Sequence, residues 1–244
     1  MNISKEGGYS YLLDWKKYVR PETIVVIDSD QLSFTCSASN ETRSIQAIHK
    51  ASGRVKEFST RTEFYGSKKT AIGGWLGDLN TQREIKNLPL FTKEDFDIKD
   101  VQDAKPVEYC LSNVKSKIKH ILDHLGLTEY QCVLGGDNNF RLELPSPAQY
   151  KSNREDMLRP LQLPDAREYI IKHHNAIIIN GKEADDVIAE LGYKGYLHFK
   201  EHGWFNYLIA SFDKDQLNTP CLLYTSPSPR DRQNLVCRLL LEKK

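Results

Sequence analysis

Short apolar runs alternate with amphipathic stretches along most of the chain. The runs are four or five residues long and rich in Ile and Val, which is typical of strands buried on both faces of a parallel sheet. Between them, apolar residues recur at the three- and four-residue spacing of a helix with one buried face. This alternation predicts an α/β fold with a mostly parallel central sheet. The predicted strands are 23–27, 131–134, 176–179 and 207–210, and the predicted helices are 107–125, 163–173 and 184–191.

The stretch 36–106 interrupts this alternation and is predicted to be an insertion. Its segment 43–69 carries a net charge of +5 with interleaved aromatic residues, whereas 94–103 is acidic. The turn sequence Ala51-Ser52-Gly53-Arg54 between two apolar runs predicts a β-hairpin over 45–58. The predicted organisation is a lead-in over 1–22, a core over 23–35 and 107–220, and the insertion between the two core segments.

A basic and aromatic composition suits contacts with nucleic-acid phosphates and bases, and Arg54 and Lys56 are the candidate DNA-binding residues of this insertion. A solvated surface excursion around a small aromatic core explains the same composition equally well.

Composition excludes several classes of protein. The chain has 244 residues, of which 27% are charged, and no run reaches the roughly 18 apolar residues of a membrane span. The first eight residues lack the apolar core of a secretory signal. Five cysteines without a CxxC motif argue against a disulfide framework and against a cysteine-rich zinc site. We therefore expect a cytoplasmic protein with no membrane partner.

The residues from 221 onward depart from the pattern of the rest. The sequence CLLYTSPSPRD at 221–231 back-translates to a stretch that resembles the mosaic end and read adapter of a sequencing-library kit, and VCRLLLEKK at 236–244 resembles the far end of that adapter followed by poly-A. The other interpretation is a Pro/Ser linker before a short basic helix. We expect 221–244 to be adapter-derived, to follow a gene product truncated after Pro220, and to make few contacts with 1–220.

Removing that tail changes the formal net charge from +1 to −2, because 29 basic and 31 acidic residues remain. Global charge therefore gives no indication of a nucleic-acid partner, and only local patches do.

Acidic residues lie at or near the end of each predicted strand. The carboxyl ends of parallel strands share one edge of a sheet, where ligands bind, so these side chains are expected to converge. Helix capping explains one carboxylate within 183–186, but not three. Crowded carboxylates require cations, and an all-oxygen set favours Mg²⁺ or Mn²⁺ in a two-metal site. The acids concerned are Asp28, Asp30, Asp137, Glu183, Asp185, Asp186, Asp213 and Asp215.

Five motifs that carry charged residues follow one another along the chain. They are Ile27-Asp28-Ser29-Asp30, Gly136-Asp137 with Phe140-Arg141, Tyr150-Lys151-Ser152-Asn153-Arg154, Glu183-Ala184-Asp185-Asp186, and Ser211-Phe212-Asp213-Lys214-Asp215. In this order they resemble the bacteriophage 5′-3′ exonucleases of the flap-endonuclease family, over roughly 23–35 and 107–217.

The resemblance implies a PIN-like, three-layer α/β/α fold that hydrolyses DNA phosphodiester bonds from a free 5′ end or at a 5′ flap, in phage DNA replication or recombination. It implies a host-cell cytoplasmic location and no small-molecule cofactor besides the two metal ions. Lys151 and Arg154 would be catalytic residues of a helical arch, and Tyr150, Asn153 and Arg141 would contact DNA. The metal-site acids would be Asp28, Asp137, Glu183, Asp185, Asp186, Asp213 and Asp215.

Two departures from the family pattern keep other functions open, and the first is the insertion at 36–106, which is longer than in the minimal pattern. The second is that the family continues into a further acidic pair and a helix-turn-helix element, which would lie beyond Pro220. The acidic site alone also does not select between DNA and RNA. The alternatives are a PIN-like ribonuclease and an inactive DNA-binding fragment.

Overall fold

The computed structural model describes residues 3–6, 9–12, 14–67, 73–137, 158–213, 216, 219–225 and 236–240. The chain divides into two units, a larger one formed by Met1–Ala38 with Pro106–Lys244 and a smaller one formed by Ser39–Lys105. No helix within the described ranges is long and apolar enough to cross a membrane.

The described elements comprise strands, α-helices and two 3₁₀ turns at Trp15–Tyr18 and Lys93–Asp95. The strands are β1 (Ile3–Glu6), β2 (Tyr9–Leu12), β3 (Ile24–Asp28), β4 (Glu41–His49), β5 (Val55–Phe58), β6 (Phe96–Ala104), β7 (Tyr130–Gly135), β8 (Ile177–Ile179), β9 (Tyr207–Ala210), β10 (Cys221–Thr225) and β11 (Val236–Leu240). The helices are α1 (Ser29–Ala38), α2 (Arg61–Tyr65), α3 (Trp75–Ile85), α4 (Val107–Leu125), α5 (Leu163–His173) and α6 (Ala184–His202).

The larger unit is built on one sheet with the strand order β1-β2-β11-β10-β9-β3-β7-β8. The five strands from β10 to β8 are all parallel, whereas β11, β2 and β1 extend the sheet with antiparallel pairing. Strand β3 lies between β7 and β9, and Ile27 pairs with Cys132 on one side and Ala210 on the other. The predicted α/β fold with a mostly parallel sheet is confirmed.

Successive residues of the central strands enter different hydrophobic clusters, as side chains on opposite faces of a sheet do. Val25 and Ile27 pack in a cluster with residues of α1, α4 and α5, whereas Val26 packs in a second cluster with Ala184 and Ile188 of α6. Helices therefore cover both faces of the parallel sheet. This double cover explains why the central strands are apolar at every position rather than at alternate ones.

Helix α6 is eleven residues longer than the predicted helix 184–191. The glycines at 192 and 195 argue for an end of the helix, because glycine weakens a helix interior. In the structure they allow close contact with the sheet instead. A Cβ on Gly195 would lie 2.7 Å from the backbone carbonyl oxygen of Tyr207, and one on Gly192 would lie 2.9 Å from the Cβ of Cys221.

We predict that Gly195→Ala destabilises the protein by about 1–3 kcal/mol, because the added methyl group would overlap a backbone oxygen that cannot rotate away. Gly77→Ala in α3 is the matched control, since a Cβ there has no neighbour within 4 Å. Urea unfolding of both variants measures the difference. Equal midpoints for Gly195→Ala and the unsubstituted chain would contradict the close helix–sheet contact.

The expectation that the tail makes few contacts is wrong for 221–224. Strand β10 pairs in parallel with β9, and its residues Cys221, Leu222, Leu223 and Tyr224 are all at most 1% exposed. The second half forms strand β11 rather than a helix and pairs with β10. Strand pairing uses backbone groups, so an apolar run of five residues can pair with an open sheet edge whatever the origin of its coding sequence. The adapter origin therefore stays a prediction.

We now predict that a chain ending at Pro220 is less stable than the full chain, by several kcal/mol, because the buried side chains of β10 are lost from both faces of the sheet. Leu223→Ala tests the same contact without shortening the chain and is expected to cost about 2–5 kcal/mol. Leu197→Ala is its control, because Leu197 of α6 is 44% exposed. Unchanged unfolding of the shortened chain would show that β10 contributes nothing.

The smaller unit holds a three-stranded antiparallel sheet in the order β5-β4-β6. Strands β4 and β5 form the predicted hairpin, and Gly53 in its turn has a φ of 66°. A core of aromatic and aliphatic side chains fills this unit, including Phe58, Phe64 and Phe96. Its two ends meet, because the N–H of Lys105 donates to the carbonyl oxygen of Asn40 and the Asn40 amide donates to that of Lys105.

Candidate functional site

Carboxylates from three separate parts of the larger unit lie at the carboxyl edge of its parallel sheet. Asp28 is the last residue of β3, Glu183 and Asp185 lie at the start of α6 after β8, and Asp213 follows β9 by three residues. Because β3 pairs directly with β9, the ends of these two strands are neighbours. The parallel register therefore brings together acids that are 185 positions apart in the sequence.

Asp28 is the most enclosed of these acids, at 5% exposure. Its carboxylate accepts a hydrogen bond of 2.8 Å from the Ser211 hydroxyl and one of 3.2 Å from the backbone N–H of Gln31. Burial nevertheless raises the pKa of Asp28, and the charges of Asp30 and Asp213 raise it further. Two hydrogen bonds to the ionised form thus do not offset the loss of solvation.

Asp185 lies within the electrostatic reach of the other acids. Burial raises the pKa of Asp185 to about 6, with further contributions from the negative charges of Asp28, Asp213, Glu183 and Asp30. All four carboxylates belong to the carboxyl edge of the parallel sheet, because Asp28 ends β3, Asp213 follows the neighbouring strand β9, and Glu183 and Asp185 lie at the start of α6. We refer to Asp28, Glu183, Asp185 and Asp213 as the acidic cluster.

Asp30 has a different role, as part of a clasp between strand and helix. One carboxylate oxygen of Asp30 accepts a hydrogen bond of 2.7 Å from the N–H of Gly135 at the end of β7. The other contacts the guanidinium of Arg167 in α5, which also donates to the carbonyl oxygen of Gly135. A Cβ on Gly135 would lie 2.9 Å from the Asp30 carboxylate, so glycine permits this contact. The clasp fixes the end of β7 beside the acidic cluster.

Asp137 is exposed and lies two residues after β7, and its backbone is held by hydrogen bonds with the two residues that follow β8. Its N–H donates to the side-chain oxygen of Asn180 over 3.0 Å, and its carbonyl oxygen accepts from the N–H of Gly181. A Cβ on Gly136 would lie 2.1 Å from that Asn180 oxygen. The close approach of the Asp30 and Asn180 side chains thus accounts for both glycines before Asp137.

Sequence reasoning missed the neutral and basic partners of the acids. The Ser211 hydroxyl accepts from the N–H of Asp213, and the side chain of Gln31 accepts from the N–H of Phe212. The side-chain amide of buried Gln216 donates to the backbone carbonyl oxygen of Asp185 over 3.4 Å. The side-chain oxygen of Gln216 has no hydrogen-bond partner in the described part of the chain. Serine, glutamine and arginine are common surface residues, so no pattern in the sequence distinguishes Gln31, Arg167 or Gln216.

Other predicted site residues lie elsewhere. Asp186 is in the first turn of α6 and is partly exposed. Arg54 and Lys56 belong to the smaller unit. The remaining predicted residues lie outside the described residues; they are Arg141, Tyr150, Lys151, Asn153, Arg154 and Asp215.

The chemistry of the acidic cluster fits a hard divalent cation better than zinc, because its donors are all carboxylate oxygens. A cation would also relieve the repulsion that raises the pKa of Asp185. Within the described ranges, no three His, Cys, Asp or Glu side chains are grouped closely enough to hold a metal ion as they stand. Among the described residues, the acidic cluster is therefore not a closed set of metal ligands.

The four cysteines whose side chains are described, Cys36, Cys110, Cys132 and Cys221, are free and buried. Burial raises the pKa of Cys36 and of Cys132 to about 11, so neither supplies a thiolate at neutral pH.

Comparisons with known proteins give no relative: no protein-family model, curated protein or solved structure matches the chain.

We predict that Asp185→Asn stabilises the fold at pH 7.5 without divalent ions. The pKa of Asp185 is about 6 in the folded chain and 3.8 in the unfolded chain, so folding favours the protonated acid. This contribution to stability is fully present below pH 3.8 and is lost as the pH rises through 6, where Asp185 ionises in the folded chain. A pKa difference of this size corresponds to about 3 kcal/mol for a fully enclosed group. Because Asp185 is partly exposed, we expect about 1 kcal/mol at pH 7.5, falling to roughly a third of that at pH 4.5.

Urea unfolding at both pH values in EDTA measures this effect. Glu108→Gln is the control, because Glu108 is an exposed acid in the first turn of α4, where a negative charge favours the helix. Its loss is expected to lower stability slightly at pH 7.5. A loss of stability in Asp185→Asn as well would contradict the crowding of the acids.

Proposed function

We propose that the protein is a divalent-metal-dependent nuclease that hydrolyses DNA phosphodiester bonds at free 5′ ends or 5′ flaps. The observation that carries this proposal is the position of Asp28, Asp185 and Asp213 at one edge of the parallel sheet, where two neighbouring strands end and α6 begins. Oxygen donors gathered in this way suit a hard divalent cation, and the raised pKa of Asp185 agrees with this placement. The ordered resemblance to phage 5′-3′ exonucleases supplies the substrate class.

The finer fold proposal is a PIN-like, three-layer α/β/α core. It is supported by the helices on both faces of the parallel sheet and by the course of the chain. The chain moves from β3 outward to β7 and β8, then returns through α6 to β9 on the other side of β3. Ligands of such sheets bind at the carboxyl edge where the direction reverses, and Asp28 is the residue at that point.

Each residue near the cluster has a proposed task. Asp28, Glu183, Asp185 and Asp213 would hold Mg²⁺ or Mn²⁺, with Asp137, Asp186 and Asp215 as further candidate ligands. Bound cations of this kind activate water and neutralise charge on the phosphate in the transition state. The hydroxyl of Ser211 and the N–H of Gln31 orient Asp28.

The basic residues act on the substrate in this proposal. Lys151 and Arg154 would contact the scissile phosphate and the 5′ strand, with Tyr150, Asn153 and Arg141 along the same path. Positive groups that meet developing charge in a water-poor site lower the barrier more than they strengthen binding of the substrate. Arg167 does not belong to this set, because it is occupied by Asp30 and Gly135.

The test is a cleavage assay on a labelled 5′-flap DNA and on the matching RNA, with Mg²⁺ or with EDTA. We predict Mg²⁺-dependent cleavage of the DNA, and a fall of at least about 10²-fold in kcat for Asp185→Asn with DNA binding retained. Glu190→Gln is the control, because Glu190 lies further along α6 and pairs with Lys182 and Lys194 at the surface.

Each other outcome assigns a different function. Preferred cleavage of the RNA would indicate a PIN-like ribonuclease. Binding of the flap without cleavage in Mg²⁺ or Mn²⁺ would indicate an inactive DNA-binding fragment. Cleavage that persists in EDTA would contradict a metal-dependent reaction.

A further inference from the structure

The smaller unit contains a cleft of about 520 Å³ between its β-hairpin and α3. Its wall combines three cations with aromatic rings: Arg54, Lys56, Arg83, Trp75, Phe91 and Phe96. None of the cleft residues within the described part of the unit is a carboxylate. A cleft of this size is within the range that holds a small organic group such as a nucleobase.

The floor of the cleft is a rigid aromatic platform. Trp75 lies against the core rings, with centroid distances of 5.4 Å to Phe58 and 5.8 Å to Phe64, the latter nearly parallel. Phe91 lies 5.7 Å from Phe96. Trp75 and Phe91 are only half-buried, whereas Phe58 and Phe64 are buried. The platform is therefore fixed from below by the core and accessible from the cleft.

Cations lie directly over the two accessible rings. The Lys56 ammonium is 4.6 Å from the centroid of the Trp75 ring, and the Arg83 guanidinium carbon is 3.9 Å from that of Phe91. A guanidinium stacked in this way keeps donors at its edge for a further acceptor, and Arg83 uses one of them on the carbonyl oxygen of Pro89. Lys56 is exposed, so its flexible chain allows the ammonium to leave the ring for a neighbouring anion.

The cations of the cleft differ from other cations of the same unit in their partners. Outside the cleft, Arg43 pairs with Glu41, Lys50 with Asp97 and Arg61 with Asp100. Among the described residues, none of the three cleft cations forms an ion pair with a carboxylate. Lys56 and Arg83 are therefore held on aromatic rings rather than by carboxylates, and their positive charge is available to an external anion.

We propose that this cleft binds single-stranded DNA, with phosphates at Arg54, Lys56 and Arg83 and a base stacked on Trp75 once the Lys56 ammonium has moved from that ring to a phosphate. Base faces are available for stacking only in an unpaired strand, whereas a duplex keeps them covered, so the aromatic floor selects a single strand. The absence of carboxylates suits a polyanion. The choice of DNA over RNA rests on the proposed nuclease function, for which this unit would hold a free 5′ strand.

The first experiment measures binding of a labelled dT20 oligonucleotide to the full chain in EDTA, where metal-dependent cleavage is silent. The cleft variant is R54A/K56A/R83Q, and the matched control is R43A/K50A/R61A, which removes equal charge from paired positions of the same unit. We expect the dissociation constant of the cleft variant to rise at least about tenfold at 0.1 M salt, with a change of about threefold or less for the control.

Salt dependence gives a second readout from the same titrations. Three phosphate contacts contribute about −2 to the slope of log K against log salt for a single strand, and the cleft variant is expected to lose that contribution. Equal weakening of both variants, or equal slopes, would overturn the proposal in favour of a general charge effect. Unchanged binding in both would overturn it outright.

The second experiment tests stacking. Trp75→Phe keeps a ring and is expected to retain binding, whereas Trp75→Leu is expected to weaken it about fivefold or more, as the loss of one base stack does. Equal affinities of these two variants would overturn the stacking contact. The charge variants decide the proposal separately if Trp75→Leu does not fold, because their side chains are at the surface of the cleft.

Comparison ligands complete the test. A dT20 strand should bind more tightly than a DNA hairpin of equal charge, and tighter binding of the hairpin would overturn the single-strand assignment. Tighter binding of U20 than of dT20 would overturn the assignment to DNA. Binding in EDTA remains measurable if the flap is never cleaved, so failure of the nuclease proposal and failure of this one are distinguishable.

Discussion

The pairing of β3 with β7 on one side and β9 on the other is the interaction on which the rest of the larger unit depends. These three strands are parallel and in register, so their last residues finish at one edge. Asp28, Asp137 and Asp213 lie far apart in the sequence, and this register brings all three to the same edge of the sheet. A shift of one residue would turn every side chain of a strand to the opposite face. The buried Val25-Val26-Ile27 run, which packs on both faces, makes such a shift costly.

The same edge carries a cost in stability. Burial and like charge raise the pKa of Asp28 and Asp185, so ionising both at neutral pH works against folding. Around them, the fold supplies hydrogen bonds that hold geometry without neutralising charge, such as those of Ser211 and Gln31. Asp30 differs from Asp28 in this respect, because Arg167 balances the charge of Asp30.

Local pattern was sufficient for the central strands and most helices, because uninterrupted apolar runs indicate strands buried on both faces and a three- and four-residue spacing indicates helices with one buried face. Helices α4 and α5 have the predicted bounds, whereas α6 was cut short at Gly192, where a tertiary contact outweighs helix propensity. The tail was misjudged for a related reason: β10 is stabilised by the open edge beside β9, and a strand position of that kind has no local signature. Arg167 and Gln216 were missed because their partners are brought to them only by the fold.

The meeting of Asn40 and Lys105 at the two ends of the smaller unit has a consequence for the entropy of the chain. A flexible loop of 67 residues between α1 and α4 would lower the stability of the core through the cost of closing it. Here β4 and β6 pair along their whole length, and the two ends are joined by hydrogen bonds. Once this unit has folded, the entropy cost of closing the core is close to that of a connection only a few residues long. A segment of this size can therefore be inserted between two segments of a parallel α/β core with little effect on the closure of that core.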